Sequence, residues 1–506
     1  MHFSTIASLT IELLLFVDLS CASPRDVKSR TKRHLVARSS SEDNTGAATR
    51  GIFKQLIDHN NPDLGTFNQR FWWNADHYGG PGSPVIMEAP GEASVDEDDL
   101  DFSNDTLIGL FAQKTKGAVI SLEHRYWGKS SPVGTNFTTE TLQHLNLNQS
   151  IQDLVYFARN VHLKFDPHGK SKPHKAPWVL SGCSYPGALA AWTNALAPGT
   201  FWAYHCSSAV VEAVSTFWQY WSTIEEAIPR NCSADFKRIV KSVDRTLSHG
   251  SAHAKAQVKQ FYGYDGETTD ADFAGAISDT FAGFQDTDLT SVNVNTTLAC
   301  DYIENQWPGS NAKMPGPEGV GLYRARRGLA KWMKKQQKES EYLTKREELD
   351  NKLWDWYLCN EAFEWWQVWG NESDSGLVPS ALTRHSKYKE CQREFPDVDG
   401  YSFGWKRGHD AQRVNEITGG WSVTNTERVM WVNGEYDPWI GATVSSKWRP
   451  GGPLKSTEEA PVWVIPKAAH CNDVWTTNRA DPGTRKVIDA VVKQMEKWVS
   501  DYYKSH

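Results

Sequence analysis

Beyond its N-terminal leader, this 506-residue chain has no apolar run long enough to cross a bilayer, so no membrane anchor is expected. Basic charge is not in excess either: 54 Lys and Arg face 61 Asp and Glu, a formal net charge of −7. Nucleic-acid binders usually carry a basic surface to meet phosphates, and that class is set aside. No Cys or His spacing has the form of a zinc ligand set, so no metal is expected. Internal repeats are absent, as is low-complexity sequence beyond the leader.

What is present is an ordinary globular composition. Hydrophobic residues make up 39% of the chain, enough to fill the core of one large domain or two moderate ones. Tryptophan is unusually common, with 23 copies; most should pack the core and a few should line a pocket.

The leader reads as an export signal over residues 1–22, with the apolar stretch "IELLLFVDL" followed by small Ser20 and Ala22. Glu12 and Asp18 interrupt the run, and a short amphipathic helix is the alternative. Residues 23–50 are polar and basic, either a propeptide cut after the Lys32-Arg33 pair or a disordered leader. Six glycosylation sequons begin at Asn104, Asn136, Asn148, Asn231, Asn295 and Asn371. With the signal they imply secretion, with delivery to a vacuolar or lysosome-like compartment as the variant. If Cys21 leaves with the signal, Cys183, Cys206, Cys232, Cys300, Cys359, Cys391 and Cys471 remain, so at least one thiol is free or pairs between chains.

From residue 51 strands and helices alternate. The stretches at 83–90, 117–128 and 177–182 read as short apolar strands, and those at 106–116 and 147–162 as helices. Continuous apolar strands separated by helices predict a parallel sheet covered on both faces. After residue 215 the pattern becomes helical, including one stretch from 321 to 357. Strand character returns in "RVMWVNGEYDPW" and "APVWVIPKAAH", and an amphipathic helix closes the chain. The economical reading is one α/β domain in two parts, 51–215 and 386–506, with a helical cap inserted at 216–385.

The chemistry is expected at "LSGCSYPGALAAW", residues 180–192. A serine hydroxyl is a poor nucleophile unless it is held exposed beside a base. A sharp strand-to-helix turn does this for Ser184, and the small residues Gly182 and Gly187 let the turn form. Pro186 stands where the pattern G-x-S-x-G has its second glycine. Proline is acceptable there because an early helical position needs no intrahelical donor. Asp437 follows an apolar strand and is the candidate acid; His470 follows another and is the candidate base. The order Ser184, Asp437, His470 is that of α/β-hydrolases. An oxyanion needs donors, for which the Tyr185 backbone N–H and the Gly91–Glu92 backbone in "EAPGEAS" are the candidates. Glu123, His124 and Arg125, at another strand end, read as a supporting ion-pair network.

These residues resemble a family of post-proline serine peptidases that includes lysosomal Pro-Xaa carboxypeptidase, lysosomal dipeptidyl peptidase and thymus-specific serine protease, with secreted fungal prolyl peptidases nearest in appearance. The resemblance runs through "FKQLIDHNNPDLGTFNQRFWWN", "EHRYWGKSSP", "LSGCSYPGALAAW", "FWAYHCSSAVVEA", "WYLCNEAFEWWQ", "NGEYDPW" and "HCNDVW". It implies an α/β-hydrolase fold with an inserted helical cap. It further implies cleavage on the carboxyl side of proline, often in acidic conditions, with Ser184, Asp437 and His470 as nucleophile, acid and base. Trp439 and Trp475, beside the acid and base, are candidates for a proline-shaped pocket. Cys359 with Cys391 and Cys232 with Cys300 are candidate cap disulfides. Cys183 and Cys471 each neighbour a triad candidate and are candidates to approach each other, although spacing does not fix connectivity.

The expected reaction is acyl transfer to water through an acyl-enzyme, on peptide or protein substrates that contain proline, with no cofactor. Endopeptidase and exopeptidase action are not distinguished. A lipase or carboxylesterase with the same triad, or an inactive binding protein of the same fold, are the alternatives.

Overall fold

The computed structural model describes residues 46–287, 295–307, 309–340, 344–370, 376–423 and 426–506. The expected signal, most of the basic leader and the Asn371 sequon lie outside these residues. Asn104, Asn136 and Asn148 are exposed, and Asn231 is half-buried.

Eight strands form one sheet: β1 (Thr49–Leu56), β2 (Thr66–Asn74), β3 (Val85–Glu88), β4 (Ala118–Leu122), β5 (Trp178–Cys183), β6 (Ala203–Ser207), β7 (Val429–Gly434) and β8 (Val462–Ile465). Their order is β1-β2-β4-β3-β5-β6-β7-β8. The β1–β2 and β2–β4 pairs are antiparallel and every later pair is parallel. This is an α/β-hydrolase sheet, as expected. Helices α1 (Leu107–Thr115), α2 (Leu147–Asn160) and α3 (Tyr185–Leu196) connect its first strands. Between β6 and β7 the chain leaves the sheet through α4 (Gln219–Ala227), α5 (Arg230–His249), α6 (Ala252–Phe261), α7 (Asp270–Ser278), α8 (Asn295–Ile303), α9 (Leu322–Ser340), α10 (Lys345–Glu361), α11 (Arg384–Glu394) and α12 (Ala411–Thr418). Helix α13 (Pro482–Ser505) then closes the chain.

The strands alternate their side chains between two cores. Ile86, Val119, Val179, Met430 and Val432 face α1 and α13, where Phe111, Ile488, Val491 and Met495 are fully buried. Val85, Met87, Ile120 and Leu180 face the other way, against Leu154 and Phe157 of α2 and Leu189 and Trp192 of α3. This second core runs on without a break into the cap, through Phe236, Phe281 and Trp356.

Two local expectations change. The strand read over 117–128 ends at Leu122, because residues 123–128 turn to send charged side chains inward. The helical stretch 321–357 is two helices: Thr344 starts α10 with a capping box, its side chain accepting from the Glu347 N–H while Glu347 returns a bond to the Thr344 N–H. Strands β1 and β2 had no clear apolar signature. Buried Gln55 and Gln69 occupy inward positions there, with Gln55 donating to Gln69 at 2.9 Å and Gln69 to the Glu123 carbonyl at 2.9 Å. Among the described residues three disulfides join Cys183 to Cys471, Cys232 to Cys300 and Cys359 to Cys391, the expected pairs, and Cys206 is a buried free thiol.

Candidate active site

Strand β5 delivers Ser184 into a turn at φ 65° and ψ −130°, a conformation that costs a non-glycine residue energy and persists only where the surroundings impose it. The surroundings here are tight. A Cβ on Gly182 would lie 2.3 Å from the Pro186 carbonyl oxygen, and one on Gly187 would lie 2.7 Å from the Ser207 carbonyl oxygen. Both glycines are therefore required for the strand and helix to approach. The Ser184 N–H donates to the Ser207 carbonyl at 2.9 Å, pinning the turn to β6. Ser184 precedes α3 yet its side chain does not cap that helix, so the hydroxyl is left for other work. Pro186 occupies the first turn of α3, where no donor is missed.

Asp437 lies just past β7 and is fully buried. It accepts from the Trp439 N–H at 2.9 Å, which fixes the carboxylate, and both its oxygens face His470 Nδ1, at 2.9 and 3.0 Å. His470 lies past β8. Burial opposes charge on its ring, but the Asp437 charge and hydrogen bond outweigh burial, with Asp286 and Glu92 adding to them, and the pKa is raised above the ordinary histidine value.

The serine joins this pair through the Cys183–Cys471 disulfide, which links the residue before Ser184 to the residue after His470 with Cα atoms 5.9 Å apart. A ring nitrogen of His470 lies within 4.8 Å of both sulfur atoms. The base loop is held further by the Cys471 N–H donating to Ser208 Oγ at 3.0 Å and the Ala469 N–H to Asn472 Oδ1 at 2.8 Å.

The Gly91 loop leaves β3 beside the strand that feeds the turn: the Ala89 N–H donates to the Ser181 carbonyl at 2.8 Å. A Cβ on Gly91 would stand 3.6 Å from Pro186, an ordinary contact, so the loop lies against the turn. Tyr185 is the first residue of α3, and its N–H has no partner within the helix. Trp439 is at the site, its ring 6.3 Å from that of His470, 5.4 Å from Phe217 and 5.3 Å from Tyr220. Trp475 is half-buried, and its backbone bridges to Thr106 at the start of α1. The cap reaches the site through Gln285, whose carbonyl accepts from the His470 N–H at 3.3 Å and whose side chain accepts from Trp439 Nε1 at 2.8 Å.

Sequence reading missed a second buried cluster under the base loop. Asp473 accepts from Ser207 Oγ and His205 Nε2, the latter at 2.9 Å, while His205 Nδ1 lies 2.9 Å from Ser181 Oγ. These side chains are at most 4% exposed, so they bind strands and loop together and do not meet substrate. The expected ion-pair network holds for two of its three members. Glu123 pairs with Arg70, and Arg125 with Asp153 at 2.7 and 2.8 Å. His124 turns instead toward Tyr185.

A family model described as serine carboxypeptidase S28 matches residues 55–491. The chain belongs to this family. The chain is 34% identical to the serine protease vicPb of Bipolaris victoriae, over 90% of this chain and 89% of that one. Human thymus-specific serine protease is 25% identical over 89% of this chain and 86% of its own. A solved proline iminopeptidase from Mycobacterium smegmatis aligns over 89% of this chain and 100% of its own, at 11% identity and a TM-score of 0.35, a likeness too slight to carry function. The S28 family makes this protein a serine-type peptidase.

Proposed function

We propose that this S28 peptidase is secreted and cleaves on the carboxyl side of proline, using Ser184, His470 and Asp437. The observation that carries the reading is the Asp437–His470 pair held beside Ser184 by the Cys183–Cys471 bond. Asp437 accepts a hydrogen bond from Nδ1–H, which leaves Nε2 as the base. His470 removes the Ser184 proton as Oγ attacks the prolyl carbonyl carbon. The oxygen that gains charge is received by the N–H of Tyr185 and by the Gly91–Glu92 backbone, donors each worth ~3 kcal/mol. His470 then protonates the leaving amine, and water, activated by the same imidazole, hydrolyses the acyl-enzyme.

The proline preference is supported by Trp439, a half-buried ring 6.3 Å from that of His470 and braced by buried Phe217 and Tyr220, whose face suits a rigid, apolar pyrrolidine. Secretion is supported by three disulfides and by the relative named probable extracellular serine carboxypeptidase from Arthroderma benhamiae. Fluorophosphonate labelling that disappears in Ser184→Ala tests the nucleophile. Mass spectrometry of proline-containing peptides blocked at either end tests the bond and the mode. Cleavage independent of proline, or short-chain ester hydrolysis alone, overturns the specificity.

A further inference from the structure

Under the Ser184 turn runs a line of buried hydrogen bonds that the triad does not use. His124 Nδ1 lies 2.9 Å from the Arg125 carbonyl oxygen, and its Nε2 lies 3.0 Å from the Tyr185 hydroxyl. The Tyr185 hydroxyl is 2.9 Å from that of Tyr357, which is 3.0 Å from Ser150 Oγ. Ser150 Oγ in turn is 2.9 Å from the Asn146 carbonyl oxygen. All four side chains belong to residues at most 2% exposed.

Proton counting gives the line a direction. Both ends are carbonyl oxygens, which only accept. A neutral histidine, two phenols and one serine bring about four protons to five contacts. Tyr185 donates to the Tyr357 hydroxyl and Ser150 Oγ donates to the Asn146 carbonyl, which leaves the Tyr357 hydroxyl to donate to Ser150. The Asn146 carbonyl also accepts the Ser150 N–H at 3.1 Å. Burial lowers the His124 pKa to about 4, against the hydrogen bond to the Arg125 carbonyl and the charges of Asp153 of α2 and Glu92 of the β3 loop, while the Arg125 charge acts with burial. Tyr185 and Tyr357 complete its polar surroundings, with Glu361 of α10 acting on both phenols.

The line joins three elements that the sequence keeps far apart: α2 supplies Ser150, the cap helix α10 supplies Tyr357, and α3 supplies Tyr185. We propose that Tyr357 is a positioning residue, holding from the cap the Tyr185 side chain and, with it, the Tyr185 backbone N–H that receives the oxyanion. This rests on the oxyanion role given to Tyr185 above. An amide at the first position of a helix, next to a strained Ser184, has no helical bond to fix it, and donors act only when already in place.

Tyr357→Phe tests this, since it keeps the ring against Tyr185 and Phe363, each 5.4 Å away, and removes only the hydroxyl. The expected result is a ~10-fold lower kcat with KM within about twofold and an equally slowed labelling of Ser184, a fraction of the roughly 10²–10³-fold cost of deleting an oxyanion donor. Ser150→Ala, at the far end of the line, should act in the same direction and less strongly, and it serves if Tyr357→Phe does not fold. Wild-type kcat in a folded Tyr357→Phe or Ser150→Ala protein overturns the proposal, as does a change confined to KM or thermal stability. Wild-type protein whose Ser184 never reacts with the fluorophosphonate overturns the triad reading, and the role of Tyr357 falls with it.

Discussion

Cys183 and Cys471 are bonded to each other, so the residue before Ser184 and the residue after His470 are covalent neighbours across 288 positions of sequence. The bond lies beside the two side chains proposed as nucleophile and base.

Removing that bond should therefore affect rate and stability together. The double variant Cys183→Ala, Cys471→Ala is expected to lose about 2–5 kcal/mol of stability, as for other native disulfides that close long loops. Its kcat should fall even at temperatures where it is folded. Calorimetry and steady-state kinetics on one preparation check this; loss of stability with unchanged kcat would show that the bond has no part in placing the base.

Asp437→Asn removes the charge while retaining an oxygen for the Trp439 N–H. The His470 ring loses its fixed tautomer, and kcat should drop about 10⁴-fold with little change in fold. Circular dichroism and single-turnover kinetics measure both.

The two histidines near Ser184 respond to pH with opposite sign. The His470 pKa is raised, so its contribution to stability is complete below the unfolded value of 6.5 and is lost as pH rises through the folded value. Because the base must be neutral, kcat/KM should rise with pH through an apparent pKa above 6.5. His124 is lowered to about 4, so the unfolded chain binds its proton first. Stability falls as pH drops from 6.5 toward 4, by about 3 kcal/mol from this group. Thermal melts across that range should flatten in His124→Gln, and a kcat/KM profile with an acid limb below pH 6 would contradict the placement of His470.

At the turn, Gly182→Ala should be more damaging than Gly187→Ala. The new methyl meets the Pro186 carbonyl at 2.3 Å in the first case and the Ser207 carbonyl at 2.7 Å in the second. Both neighbours are backbone and cannot swing away, so a loss of about 1–3 kcal/mol or more is expected, with activity falling alongside. Denaturant melts of the two variants give the order.

How much was legible varies with the distance over which a signal acts. The Ser184 turn could be read because Gly182, Gly187 and the apolar residues on either side meet within a few positions of one another. Strands β7 and β8 were visible for the same reason, as short apolar runs ending before Asp437 and His470. Strands β1 and β2 were not, since Gln55 and Gln69 are buried where apolar residues would be expected, their amides satisfied by each other and by Glu123. His124 was read as a member of an ion-pair network, and its actual partner, Tyr185, lies 61 positions away.

The sequence by itself determined the strand-turn-helix at Ser184, the chain order of the residues proposed as nucleophile, acid and base, and the α/β-hydrolase layout with a helical insertion. These follow from backbone sterics and apolar periodicity, which act over a few residues. Only the tertiary structure decided that Asp473 pairs with His205, that Gln285 of the cap rests on the His470 loop, and that Tyr357 meets Tyr185. Each of those contacts depends on where the whole sheet and cap carry two distant segments, and no local pattern of residues encodes that meeting.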